Sequence, residues 1–178
     1  YSYDACGRMV DVTDPAGRVT RYSYTSDFQV ATVTYPTGET ARYEYDAMGR
    51  VVLSHVPGAG VSQYRYDPCG RLVFSCDLVY GQRHFSYDLA GQLVAATNPA
   101  GGVSRYGYDR CGRLVTRTDP GGGLTTYQYN ECGQMIAATD PLGRVTEYTW
   151  DKSGTLAAIT RPDGTVVSRR LGPKGVEE

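Results

Sequence analysis

Aromatic residues recur along this chain in pairs two positions apart. The first of each pair falls at Tyr1, Tyr22, Tyr43, Tyr64, Phe85, Tyr106, Tyr127 and Tyr148, the second at Tyr3, Tyr24, Tyr45, Tyr66, Tyr87, Tyr108, Tyr129 and Trp150. Every pair stands 21 residues after the last. Side chains alternate along a strand, so a spacing of two puts both rings on one sheet face. Thr20, Tyr22 and Tyr24 share that face, and Val19, Arg21 and Ser23 share the other. The second face stays mostly polar in other copies, for example at Arg105, Thr126 and Glu147. A fixed period in this range marks a repeat architecture.

Turn residues divide each period. Asp4-Ala5-Cys6-Gly7 reads as a turn, because Asp bonds back to the backbone and Gly accepts positive φ. Residues 8–13 then read as a strand, Asp14-Pro15-Ala16-Gly17 as a second turn, and residues 18–24 as the returning strand. The predicted fold is all-β: an antiparallel meander of about eight two-stranded repeats over residues 1–167, with 168–178 as the end of the array or a linker. Gly and Pro interrupt too often for helix. Sixteen such strands must twist and curl.

The repeat-defining positions are the aromatic pairs together with the first-turn residues. These are Asp4 and Gly7, Asp46 and Gly49, Asp67 and Gly70, Asp88 and Gly91, Asp109 and Gly112, Gly133, and Asp151 and Gly154. Three turns depart from the pattern and are expected to be irregular: Thr25-Ser26-Asp27-Phe28, Pro57-Gly58-Ala59-Gly60 and Asp77-Leu78-Val79-Tyr80-Gly81. The first strand opens on two apolar residues, as in Leu72-Val73 and Met135-Ile136, which predicts a strand start that is apolar on both faces. Spacing alone leaves open whether Arg8 or Met9 lies opposite the tyrosines.

Composition agrees with the pattern and narrows function. Sixteen Tyr, 22 Gly and 9 Pro favour strands and turns. With 18 Lys+Arg against 19 Asp+Glu, no charge excess argues for nucleic acid. No apolar run reaches the roughly 20 residues of a membrane span. The chain opens in mid-phrase at Tyr1, as a segment of a longer protein would.

The candidate chemistry is sparse. Cys6, Cys69, Cys111 and Cys132 share one phase before the turn glycine, and Cys76 lies elsewhere. Equivalent positions in neighbouring repeats stand about 10 Å apart, beyond the roughly 7 Å limit for a bridge, so free thiols are expected. One carboxylate per turn is a poor calcium loop, and Gly121-Gly122-Gly123 precedes no helix that would cradle phosphate. His55 and His84 lack partners at ligand or triad spacing. The expectation is no catalytic, metal or cofactor site. The aromatic ladder reads first as sheet packing. Sugar rings stacking on exposed tyrosines, with Arg and Asp on the hydroxyls, is the alternative.

The phrase Tyr106-Gly107-Tyr108-Asp109-Arg110-Cys111-Gly112-Arg113-Leu114, followed by Asp119-Pro120-Gly121-Gly122, resembles the RHS/YD-repeat family. That family includes bacterial Rhs polymorphic toxins, the C components of Tc toxins, wall-associated proteins and teneurins. The resemblance covers about residues 1–167 and implies a β-sheet spiralling into a hollow shell. In the bacterial members it implies a secreted or cell-surface protein whose shell encloses a C-terminal toxin domain. The implied partners are flanking YD repeats and that domain, with cell-surface glycans in the alternative. Asp140-Pro141-Leu142-Gly143 is followed by Arg144 and a further repeat, so it matches a repeat turn and not the family's autoproteolytic boundary.

Overall fold

The computed structural model describes residues 1–168, so almost all of the segment 168–178 expected to close the array lies outside the described residues. The chain is all-β and divides into two compact units, Tyr1–Phe85 and Ser86–Glu178.

The first unit carries β1 (Ser2–Tyr3), β2 (Met9–Thr13), β3 (Val19–Tyr24), β4 (Val30–Thr34), β5 (Thr40–Tyr45), β6 (Val51–Val56), β7 (Gly60–Tyr66), β8 (Leu72–Asp77) and the start of β9 (Gly81–Tyr87). The second carries β10 (Leu93–Thr97), β11 (Val103–Tyr108), β12 (Leu114–Thr118), β13 (Leu124–Tyr129), β14 (Met135–Thr139), β15 (Val145–Trp150), β16 (Leu156–Thr160) and β17 (Val166–Ser168). Within each unit every strand pairs antiparallel with its sequence neighbours, and among the described residues no contact joins strands that are not neighbours. Each unit is therefore one layer thick.

Both turns of the repeat share one hairpin geometry. In the first, Asp4 N–H donates to the Arg8 carbonyl at 2.8 Å and Gly7 N–H to the Asp4 carbonyl at 3.0 Å. In the second, Asp14 N–H donates to the Arg18 carbonyl at 3.0 Å and Gly17 N–H to the Asp14 carbonyl at 2.9 Å. This is a tight turn closed by a left-handed residue, here Gly7 at φ 78° and Gly17 at φ 79°. The loop takes in Arg8 and Arg18, so the strands begin one residue later than the turn residues alone predict.

Register resolves the ambiguity at Arg8. Met9 lies opposite Tyr3, and Val30 opposite Tyr24. The register shifts at the second aromatic of β1, β3, β5, β7, β11, β13 and β15, which marks a β-bulge. Leu72 lies opposite Tyr66 and Phe74 opposite Arg65, which leaves Val73 as the extra residue. Counted from either side, Leu72 and Val73 both belong to the tyrosine face. The apolar pair at the strand start is thus a bulge, and the expectation of a strand apolar on both faces is corrected.

The departing turns behave differently from one another. Thr25–Phe28 follows the regular hairpin, contrary to expectation: Thr25 N–H donates to the Gln29 carbonyl at 2.7 Å and Phe28 N–H to the Thr25 carbonyl at 3.2 Å. Phe28 occupies the glycine position at φ 67°, so pairing of the flanking strands overrides the residue's own preference. The other two are irregular. At Pro57, Ala59 N–H donates to the Val56 carbonyl at 3.0 Å, with positive φ at both Gly58 and Gly60. At Asp77, one carboxylate oxygen accepts from the amides of Val79 and Tyr80.

A single layer buries little. In the first unit Ala41 and Ser54, Phe74 and Ser75 are buried; among the described residues of the second, none is.

Candidate functional site

The repeated chemistry centres on the first turn. Asp4 Oδ1 accepts from the amides of Cys6 and Arg8, both at 2.9 Å, and Oδ2 accepts from Arg8 Nε at 2.6 Å. Asp109 repeats this: Oδ1 takes the amides of Cys111 at 2.9 Å and Arg113 at 3.0 Å, and Oδ2 takes Arg113 Nε at 2.7 Å. Asp46 with Arg50 and Asp67 with Arg71 form the same ion pair. Two acceptor oxygens per carboxylate let one side chain close the turn and orient a guanidinium.

The oriented arginine then reaches the next repeat. The guanidinium carbon of Arg8 stands 4.8 Å from the centroid of Tyr24, that of Arg50 4.5 Å from Tyr66, and that of Arg113 4.9 Å from Tyr129. Arg113 Nη1 also donates to the Asn130 carbonyl at 3.1 Å. The second ring of the aromatic pair is tied down at its far end, with or without an arginine over it. The hydroxyl of Tyr24 donates to the Met9 carbonyl at 2.6 Å, Tyr45 to Val30 at 2.8 Å, Tyr66 to Val51 at 3.1 Å, Tyr108 to Leu93 at 2.9 Å, and Tyr129 to Leu114 at 2.8 Å. Trp150 Nε1 donates to the Met135 carbonyl at 2.7 Å, so an indole serves the same role as a phenol. At Arg8, Arg50 and Arg113, Asp, Arg, ring and backbone carbonyl thus form a clasp to the next repeat.

Electrostatics follow this geometry. The carboxyls of Asp4, Asp67 and Asp109 are held below the usual carboxylate value, first by the backbone N–H of the following arginine and then by its side chain. At Asp46 the Arg50 side chain is the leading cause. Partial burial pushes the phenols of Tyr43 and Tyr108 up. First-turn arginines are 25–31% exposed, whereas Arg18 and Arg144 of the second turn are 69% and 62% exposed. The first-turn ion pairs are therefore the less screened.

The arginines were the part of the clasp that sequence reasoning left out of the repeat-defining set. The signal was present: a fixed offset of four residues from the turn Asp. Where Arg gives way, the clasp changes. Gln92 Nε2 donates to Asp88 Oδ2 at 3.2 Å, and Asn130 Nδ2 donates to Gln134 Oε1 at 2.7 Å. Of the remaining repeat-defining residues, Tyr1 and Tyr3 are exposed at β1, while Tyr22, Tyr43, Tyr64, Phe85, Tyr106, Tyr127 and Tyr148 lie half-buried on their strands. Tyr87 ends β9, and Gly49, Gly70, Gly91, Gly112, Gly133 and Gly154 take positive φ in their turns.

The other candidates stand apart from one another. All five cysteines are free, four of them exposed and Cys76 half-buried. His55 lies opposite Arg42, and His84 packs against Phe74 at 5.1 Å. No group of three or more His, Cys, Asp or Glu side chains among the described residues is placed to hold a metal ion. No helix of the described residues is long and apolar enough to cross a membrane.

The family model described as the teneurin YD-shell matches residues 1–165. The chain belongs to this family. Solved structures agree on the fold of this YD-shell segment. The crystal structure titled TcdB2-TccC3 aligns with a TM-score of 0.74 over 96% of this chain at 18% identity. TcdB2-TccC3 without its hypervariable C-terminal region aligns with a TM-score of 0.75 over 96% at 17% identity. TcdB2-TccC3-TEV aligns with a TM-score of 0.73 over 98% at 17% identity. The chain spans 11% of the length of each of these structures. No curated protein sequence matches it. The chain is a repeat segment of a YD shell.

Proposed function

We propose that this YD-shell segment is a piece of the wall of a secreted bacterial Rhs-type toxin, in which a hollow β-shell encloses a C-terminal toxin domain for delivery. In this reading residues 1–167 form one repeat array, and residues 168–178 are its end or a linker. The observation that carries it is the clasp. Asp109, Arg113 and Tyr129 join one repeat to the next through side chain and backbone alike, and Asp46, Arg50 and Tyr66 repeat the arrangement. Chemistry of this kind holds a sheet together. The repeat-defining residues serve as wall fasteners, and the partners are flanking repeats and the enclosed domain.

A surface module that recognises glycans or a receptor is the alternative. It draws less support from the ladder, because six of the second aromatics already spend their polar handle on a backbone carbonyl.

The test is protease protection in the longer protein that carries these repeats. The toxin domain C-terminal to the array is expected to resist a protease that digests the same domain expressed alone. It is expected to become sensitive when Arg113→Gln and Tyr129→Phe loosen the wall. Equal digestion rates for the free and the shell-attached domain would overturn the reading.

A further inference from the structure

The sheet face opposite the tyrosines carries a different kind of feature in the first unit. Across β5, β6 and β7, Glu44, Leu53 and Gln63 lie in one register row. Across β7, β8 and β9, Arg65, Phe74 and His84 lie in the next. Glu44, Leu53, Gln63, Arg65 and Phe74 line an open depression together with Val52 and Tyr64. Arg65 lies over Phe74, its guanidinium carbon 4.1 Å from the ring centroid. Phe74 is only 8% exposed in a sheet one layer thick.

The polar groups here are unspent. The turn arginines Arg8, Arg18, Arg50, Arg71, Arg113 and Arg144 each hold an aspartate. Within the described residues, the side chains of Glu44, Gln63 and Arg65 make no hydrogen bond or ion pair. A guanidinium already held over a ring keeps N–H donors for a further partner and loses less freedom when it binds. Arg65 is thus oriented for a carboxylate, with Glu44 at the far side of the depression to take a cation and Leu53 between them.

The spacing selects the ligand. Glu44 and Gln63 are two strands apart, about 10 Å, and Arg65 lies two residues further along β7, about 7 Å. The diagonal from Glu44 to Arg65 is therefore about 12 Å. An extended peptide presents residues i, i+2 and i+4 on one side, over about 13 Å. Sugars and single-stranded nucleic acid need an open ring to stack on. Phe74, whose ring belongs to this face, is covered by Arg65, and Tyr64 alternates with Gln63 and Arg65 along β7, so its ring turns to the other face.

We propose that this depression binds an extended polypeptide segment of the pattern base-x-apolar-x-acid, with the acid on Arg65, the apolar side chain on Leu53 and the base on Glu44. The proposal stands apart from the shell reading, since peptide binding and cargo protection are measured separately. The probe is a fluorescein-labelled, amidated pentapeptide Lys-Ser-Leu-Ser-Glu, titrated against the full chain by fluorescence anisotropy. It is expected to bind at least about tenfold more tightly than Lys-Ser-Leu-Ser-Lys, the worth of one charge-assisted hydrogen bond. Arg65→Glu should reverse that preference. Glu44→Lys, a change at an exposed position away from Phe74, should instead favour Glu-Ser-Leu-Ser-Glu. Equal binding of the peptides, no binding, or an unchanged preference in the Glu44→Lys chain would each overturn the proposal.

Discussion

Tyr129 reaches back fifteen residues to fasten Leu114: its hydroxyl donates to the Leu114 carbonyl at 2.8 Å. Its ring meanwhile lies under Arg113, the residue just before Leu114. The hydroxyl and the ring are separable contributions. Tyr129→Phe keeps the ring and the arginine contact but strands a half-buried carbonyl. The expected cost is about 1 kcal/mol, the net worth of one such bond, read as a lower urea midpoint with an unchanged slope. A midpoint equal to that of the parent chain would show that water replaces the hydroxyl at no loss.

Phe28 stands at φ 67° where its counterparts are glycine. A left-handed conformation costs a residue with a Cβ about 1–2 kcal/mol. The ring recovers part of this by lying 5.1 Å from the Arg8 guanidinium, a contact worth about 0.5–1 kcal/mol at an exposed site. Phe28→Gly is expected to stabilise the first unit by about 0.5 kcal/mol, the difference between these terms. Thermal unfolding checks the sign, and a lower melting temperature would mean that the Arg8 contact outweighs the strain.

Acid should loosen the turns. The carboxyls of Asp4, Asp14, Asp67, Asp109 and Asp140 are lowered first by the following arginine's backbone N–H, and that of Asp46 first by the Arg50 side chain. The folded state binds these protons less readily than the unfolded chain, whose aspartates titrate near about 3.9. The stability they contribute is therefore fully present above that value and is lost as pH falls through the depressed folded values. Urea midpoints are expected to hold between pH 7 and pH 5 and to drop by pH 3. In Asp109→Asn the drop should be smaller. A variant that loses as much between pH 5 and pH 3 as the parent chain would remove Asp109 from the account.

The architecture was legible because every copy repeats the same local instructions. A pair of rings two residues apart, Asp and Gly at fixed offsets and a constant period are local signals, and the turns they specify need no distant partner. Two features were not legible for the same reason. The bulge at Val73 depends on which residue faces Tyr66, and spacing within one strand does not contain that information. The left-handed Phe28 depends on the flanking strands holding a turn that its own sequence disfavours. The Arg113 clasp lies between: its offset from Asp109 was visible, but its purpose is visible only once Tyr129 of the next repeat comes to lie beneath it.

That clasp is portable. Asn130 and Gln134 occupy the Asp and Arg positions ahead of Trp150, whose indole is already fastened to the Met135 carbonyl. Asn130 Oδ1 accepts the Gln134 amide at 3.0 Å, so the backbone of the turn is already in place. Asn130→Asp with Gln134→Arg should therefore supply the missing ion pair and set a guanidinium over Trp150, the strongest cation–π partner among the aromatic side chains. The expected gain is about 1 kcal/mol, combining a partly exposed ion pair with one cation–π contact. Neither change should achieve it alone: Asp without Arg adds an unpaired charge, and Arg without Asp lacks the carboxylate that aims it. A double-mutant cycle measured by urea unfolding therefore separates a clasp from two independent surface changes, because only a clasp gives a favourable coupling energy between positions 130 and 134. Additive effects would mean that Arg113 and Tyr129 stay together for reasons other than the aspartate that orients the arginine.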